Sequence, residues 1–261
     1  KHKTQLLVDR FTAVLSAWPG VECISLHETA MVDILDPYFA LIFDVFYAGP
    51  IPEAEERRTL FGEDTVAFEP RTNKDRFLIG EIPVRIEYKA TGNIDELVAI
   101  ADTKRESLWL IKDSGTYSYY RLTRGELLFK RSDWILTIRE RLDKLDDDFW
   151  TAMRAANQSK MEHLLHDLGA ALFQEDDFHF LISSALFIKM VCLTLFCVNH
   201  RFEPSHRAYY HQVMELPVLP EAFHAQLDSF LRPDAAITRT RKYTLAQVIA
   251  RNVIGLTTNQ P

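Results

Sequence analysis

Apolar residues recur at helical spacing over 5–18 (Leu6, Leu7, Phe11, Val14, Leu15, Trp18), and Pro19-Gly20 ends the run, so the chain is expected to open with a helix. Stretches rich in β-branched and aromatic residues follow at 21–26, 39–47, 66–68, 77–79 and 84–88, with a last short one at 108–111; these read as strands. Turn signals separate them at Asp36-Pro37, at 49–52 and at Thr91-Gly92, and helices are expected over 53–61 and 93–104. From about residue 134 the strand signals stop. Helical periodicity then covers 134–156, 160–173, 178–200, 205–216, 220–231 and 243–254, with Asp176-Asp177 capping the most apolar of these and Pro217, Pro220 and Pro233 as punctuation. The pattern predicts an α+β protein: a mixed-sheet domain over 1–133, followed by an all-α helical bundle over 134–261.

Composition agrees with two packed domains, since 261 residues with 47% hydrophobic and 26% charged residues can bury a sizeable core. A net charge of −7 argues against an extended nucleic-acid surface and favours a small partner. Cys23, Cys192 and Cys197 are odd in number and sit in apolar surroundings, which fits a reducing compartment and a cytoplasmic protein. The chain starts at KHKTQ without Met and reads as part of a longer one, with no secretory pattern. The most lipid-like segment, 180–198, contains Ser183, Ser184 and Lys189, so a buried helix is expected there rather than a membrane span.

Two acids stand out. Asp44 lies inside ALIFDVFY and Glu87 inside PVRIEYK, each within an expected strand, where an unpaired carboxylate is costly; two of them suggest a shared cation. The alternative is ion pairing, Asp44 with Arg85 and Glu87 with Lys89 or Arg76.

A mixed domain carrying these two strands, followed by helices, resembles the nucleotidyltransferase superfamily of the DNA polymerase β type fold, in particular its bacterial branch similar to aminoglycoside nucleotidyltransferases. That family has a Gly-Ser after the first strand, two acids one residue apart on the second, and a third acid on a later strand. In IFDVFY, Asp44 matches the second acid and Ile42 stands at the first, while Glu87 matches the third. In the other register Asp44 is the first acid and Phe46 stands at the second. The Gly-Ser position falls at His27-Glu28, and LGAALFQEDDFHF and LFCVNHRFEPSHR look like the family's helical substrate domain.

The resemblance implies transfer of a nucleoside monophosphate from a nucleoside triphosphate to a small-molecule hydroxyl. It places magnesium (or manganese) on Asp44 and Glu87, the triphosphate beside His27 and Glu28, and the acceptor beside Arg201, His206 and Arg207, in a cleft between the domains. Magnesium chemistry of this kind needs acids that bridge the ions, and Ile42 cannot ligate. The departures at Ile42 and at His27-Glu28 therefore imply an alternative, a non-catalytic pseudoenzyme that binds a ligand or partner; Asp33 or Asp36 is a candidate replacement for the missing acid.

Other constellations are weaker. His27, Glu28, Asp44 and Glu87 could together suit zinc or manganese. His163 and His166, one turn apart beside Asp167, read as solvated. Arg201 and His206 have the Arg-x4-His spacing of the helical HEPN ribonucleases, but Pro204 interrupts the helix such a site requires, so the segment is expected to link two helices. Trp109, Trp134, Trp150 and the Phe-rich helix are expected in the core, Asp146 to Asp148 at a solvated helix N-terminus, and Arg239 to Lys242 in an exposed loop.

Overall fold

The computed structural model describes residues 2–27, 39–233 and 236–258. In chain order its elements are α1 (His2–Ser16), β1 (Val21–Leu26), β2 (Leu41–Tyr47), α2 (Ala54–Phe61), β3 (Thr65–Arg71), β4 (Lys74–Ile79), β5 (Ile82–Ala90), α3 (Thr91–Asp102), α4 (Trp109–Ser114), α5 (Tyr117–Arg124), β6 (Glu126–Lys130), α6 (Trp134–Asp143), α7 (Asp147–Phe173), α8 (Asp177–Val198), α9 (Tyr209–Met214), α10 (Phe223–Leu231) and α11 (Arg239–Thr258). The expected α+β class, a mixed sheet followed by helices, is the one observed. Two compact units form, Lys1–Glu106 with Ser118–Lys144, and Ser107–Tyr117 with Leu145–Pro261. The first unit therefore keeps α6, which the sequence pattern assigned to the helical half, while the second takes in α4.

In the first unit the described strands form one sheet in the order β3-β4-β5-β2-β1-β6. Only β2 and β5 pair in parallel; the remaining pairs are antiparallel. Side chains alternate across the sheet. Ile24, Leu26, Leu41, Phe43, Val45, Val84, Ile86 and Tyr88 join Phe11 and Leu15 of α1 and Phe61 of α2 in one core. Asp75 is buried among these apolar groups. It is held there by a bidentate Arg57 at 2.7 and 2.9 Å and by the Tyr88 hydroxyl, which donates to it at 2.7 Å. The opposite face carries Cys23, Ser25, Asp44, Phe46, Arg85, Glu87 and Lys89, with Trp134 of α6 against Phe46.

The second unit is a helical assembly whose core joins α7, α8, α9, α10 and α11 through Met161, Leu168, Phe187, Val191, Phe196, Val213, Leu227 and Ile249. By length and composition α8 could cross a membrane, but 56% of its most apolar window is buried inside the protein, as in a core helix.

Several expectations are corrected. Residues 108–111 open α4 instead of a strand, because a four-residue apolar run has no periodicity to separate the two. Trp109, placed in the core by its size, is 61% exposed, and Ile111 is the residue α4 buries. Phe178 of the Phe-rich α8 is also exposed, while Phe180, Phe187 and Phe196 are buried. Thr91-Gly92 begins α3 rather than closing a turn, and Arg239 to Lys242 form the first turn of α11, with Arg239 paired to Asp177. The turn expected at Asp36-Pro37 lies outside the described residues.

The helix expected over 134–156 breaks at residues 144–146, and α7 then runs through to Phe173. The cause is Asp146. In extended conformation, it accepts a hydrogen bond from the Phe149 amide at 3.0 Å, and Asp147 and Asp148 follow in the first turn where the helix dipole favours acids. Asp146→Ala is expected to cost about 1 kcal/mol in urea unfolding, the usual worth of an N-cap side chain.

Candidate functional site: two bridged carboxylates on the sheet face

Asp44 and Glu87 are direct register partners on β2 and β5, so the parallel pairing sets their side chains next to each other on one face. The same row continues to Ser25 on β1 and Lys74 on β4. Asp44 is 1% exposed, a depth at which a lone carboxylate is not tolerated.

Arg121 answers that demand. Its Nη2 and Nε donate to the two Asp44 oxygens at 2.5 and 3.1 Å, and its Nη1 donates to Glu87 Oε2 at 2.9 Å. One planar guanidinium thus spans both acids, in the fork geometry that suits carboxylates. Lys89 adds a second cation, 2.8 Å from Asp44 and 3.9 Å from Glu87. Lys74 and Arg85 approach Glu87 at 3.7 Å from the rim. The ion-pair alternative raised by the sequence is thus realised in part: Lys89 reaches Glu87 as expected, while Arg85 reaches Glu87 rather than Asp44.

Arg121 comes from α5, which the sequence pattern did not predict. Gly125 lets the end of α5 approach β1 closely. A Cβ there would stand 3.0 Å from Ser25 Oγ and 3.2 Å from the Arg121 carbonyl. Arg139 of α6 then caps the turn, donating to the Leu122 carbonyl at 2.9 Å and the Gly125 carbonyl at 2.5 Å. The glycine and the capping arginine together seat Arg121 over the acids.

His27 follows β1, buried at 4% exposure, its amide donating to the Ile42 carbonyl at 2.8 Å. Burial pushes its pKa down to about 4, and the Arg121 charge pushes the same way, against the pull of Asp44. It is therefore neutral near pH 7. Cys23, two residues before Ser25 on β1, is a buried thiol raised to about 12 by burial.

A divalent ion bridging Asp44 and Glu87 would need the space the Arg121 guanidinium fills, and Ile42 supplies no third donor. Among the described residues no group of three or more His, Cys, Asp or Glu is placed to hold a metal ion. The donors among the described residues do not fit a bridging magnesium. Glu28, Asp33 and Asp36 lie outside the described residues, and with them the Glu28 part of the expected phosphate position and both candidate replacement acids.

The other expected site residues belong to the second unit. Arg201 follows the end of α8, His200 takes a left-handed φ of 50°, and His206 begins a 3-10 turn, His206–Ala208, with its ring edge-on to Tyr209 at 5.1 Å. Arg201 and His206 therefore do not share a helix, as the ribonuclease reading requires. Arg207 is exposed in the same turn. His163 pairs with Asp167 at 3.7 Å on the surface of α7. The residue that sequence reasoning missed in this segment is Glu203. It accepts from the Thr116 amide at 3.1 Å and the Tyr209 hydroxyl at 2.7 Å, while its own amide donates to Thr116 Oγ1 at 2.9 Å. With the Lys160 ammonium on the Lys112 carbonyl at 2.6 Å, these bonds fasten residues 107–117 into the second unit.

No family model matches the chain, and no curated protein does. Among solved structures, a nucleotidyltransferase-like protein from Exiguobacterium sibiricum 255-15 is similar over 97% of this chain and 74% of that one, with a TM-score of 0.49 and 9% identity.

Arg121→Gln leaves two carboxylates facing each other with Lys89 as their closest cation, and is expected to destabilise the protein by about 3 kcal/mol in urea unfolding, more than loss of a surface pair would. A second expectation concerns pH. Unfolded His27 binds a proton near pH 6.5 and folded His27 near 4, so stability is fully present above 6.5 and falls as pH drops toward 4. Between pH 6.5 and 5 the loss should be about 2 kcal/mol, and His27→Gln should flatten that slope whatever it does to stability at pH 7.

Proposed function

We propose that the chain is a nucleotidyltransferase-like protein that does not transfer nucleotides and acts by binding a ligand or partner. The observation that carries this reading is the Arg121 guanidinium spanning Asp44 and Glu87. In the resemblance these acids hold the ions that neutralise the triphosphate; here a protein cation already holds them. Parallel pairing of β2 with β5 supports the superfamily reading, since it sets the matched acids side by side. Ile42, buried at the position of the missing acid, supports the loss of transfer. We place the protein in the cytoplasm, a reading supported by three free, buried cysteines.

Calorimetric titration with nonhydrolysable ATP and GTP analogues, with and without magnesium or manganese, tests this. Neither metal should change the affinity for either analogue, nor the melting temperature of the protein alone. A metal-dependent gain in affinity that disappears in Glu87→Gln would overturn the reading and make transfer the better account.

A further inference from the structure

Next to the acid row on the same sheet face runs a row of opposite character. Ile42 on β2 pairs with Arg85 on β5, which pairs with Arg76 on β4, which pairs with Glu69 on β3. Like charges directly opposite on antiparallel strands repel each other. Nothing within this row offsets the two arginines except Glu69 at its far end. Arg85 has Glu87 at 3.7 Å, and the Arg76 side chain has no hydrogen bond or ion pair among the described residues.

The two arginines line a groove of about 280 Å³ with Glu69, Leu78 and Pro83. That volume is at the small end for a ligand site, enough for a phosphorylated group and little more. Alternation places Leu78 and Pro83 on the arginine face, so the groove has an apolar floor with guanidiniums beside it. Two forks with unused donors are suited to tetrahedral oxyanions, which accept several charge-assisted hydrogen bonds at once. The concentration of cations here contrasts with the chain's net charge of −7.

We propose that this groove binds a phosphate-bearing anion through Arg76 and Arg85 without any metal ion. The proposal rests on the non-catalytic reading above, to which it gives a ligand class. Glu87 is tied to Arg121 one row away, so the acids are already neutralised and do not repel an anion at the groove. Glu69 sets the limit of the site on the β3 side, opposite Arg76.

The test is calorimetry on the full chain in EDTA, with pyrophosphate and ADP as probes and Arg76→Gln and Arg85→Gln as variants. Both side chains reach solvent, and a thermal melt of each variant checks that it folds. Saturable binding of either probe is expected, weakened about ten- to hundredfold in each variant, the usual effect of removing a charged hydrogen-bond donor. Tighter binding of ADP names a nucleotide as the source of the phosphate, and equal binding names a bare phosphate or polyphosphate. If neither probe binds at millimolar concentration, or binding is unchanged in both variants, the groove proposal falls while the metal-free reading of Asp44 and Glu87 stands. If binding appears only when magnesium is added and survives Arg76→Gln, both fall together.

Discussion

One guanidinium across two strand carboxylates is the contact on which the first unit depends. Burying Asp44 beside Glu87 without a cation would carry both desolvation and repulsion. Arg121 and Lys89 supply two positive charges against two negative ones, so the row is neutral before the rim cations are counted. Meeting this requirement has consequences through the fold. The chain must bring α5 over the sheet, pass Gly125 against Ser25 and fix the helix end with Arg139. Arg139 is itself half-buried, with its pKa lowered by burial, and two carbonyls compensate it.

The two faces of the sheet handle buried charge differently. On the apolar face, Asp75 is closed off by Arg57 and Tyr88, with a bidentate fork and a hydroxyl using its lone pairs and the Arg57 ring contact with Tyr88 at 5.0 Å completing the seal. In such a cluster both oxygens of the buried carboxylate are partnered. On the other face the arrangement is graded. Asp44 is sealed, Glu87 is shared among four cations, and Arg76, one row on, pairs with none of the described residues. Chemistry, where this sheet has any, belongs at the unsaturated end of that gradient.

Much of this was legible in the sequence. β1, β2, α2 and the capped start of α8 follow from alternation, helical spacing and cap residues, and Asp44 and Glu87 were visible because acids are rare inside strands. The part that was not legible lies between residues 108 and 130. Tyr117 to Arg124, with its Tyr, Ser and Thr, has weak intrinsic helix preference, and it is tertiary packing of Tyr119, Tyr120 and Leu122 that makes it helical. β6 is five residues long, pairs with β1 through a bulge and shows no alternation. Because α5 was missed, so was Arg121, and the acids read as a pair awaiting a cation when the cation is 77 residues away from Asp44 in the chain.

That separation bears on how two facing strand carboxylates can be satisfied. A divalent ion and a guanidinium both satisfy two facing carboxylates, but the ion brings two charges and open coordination positions, while the guanidinium brings one charge and spends its donors on the acids it meets. Substituting one for the other keeps the strands paired and the row neutral with help from Lys89, so the fold survives the exchange. With its donors spent on the acids, the guanidinium leaves no open position there for a further ligand. One row along the same sheet face Arg85 and Arg76 stand opposite each other and line a groove, so the positive charge of this face extends beyond the two acids.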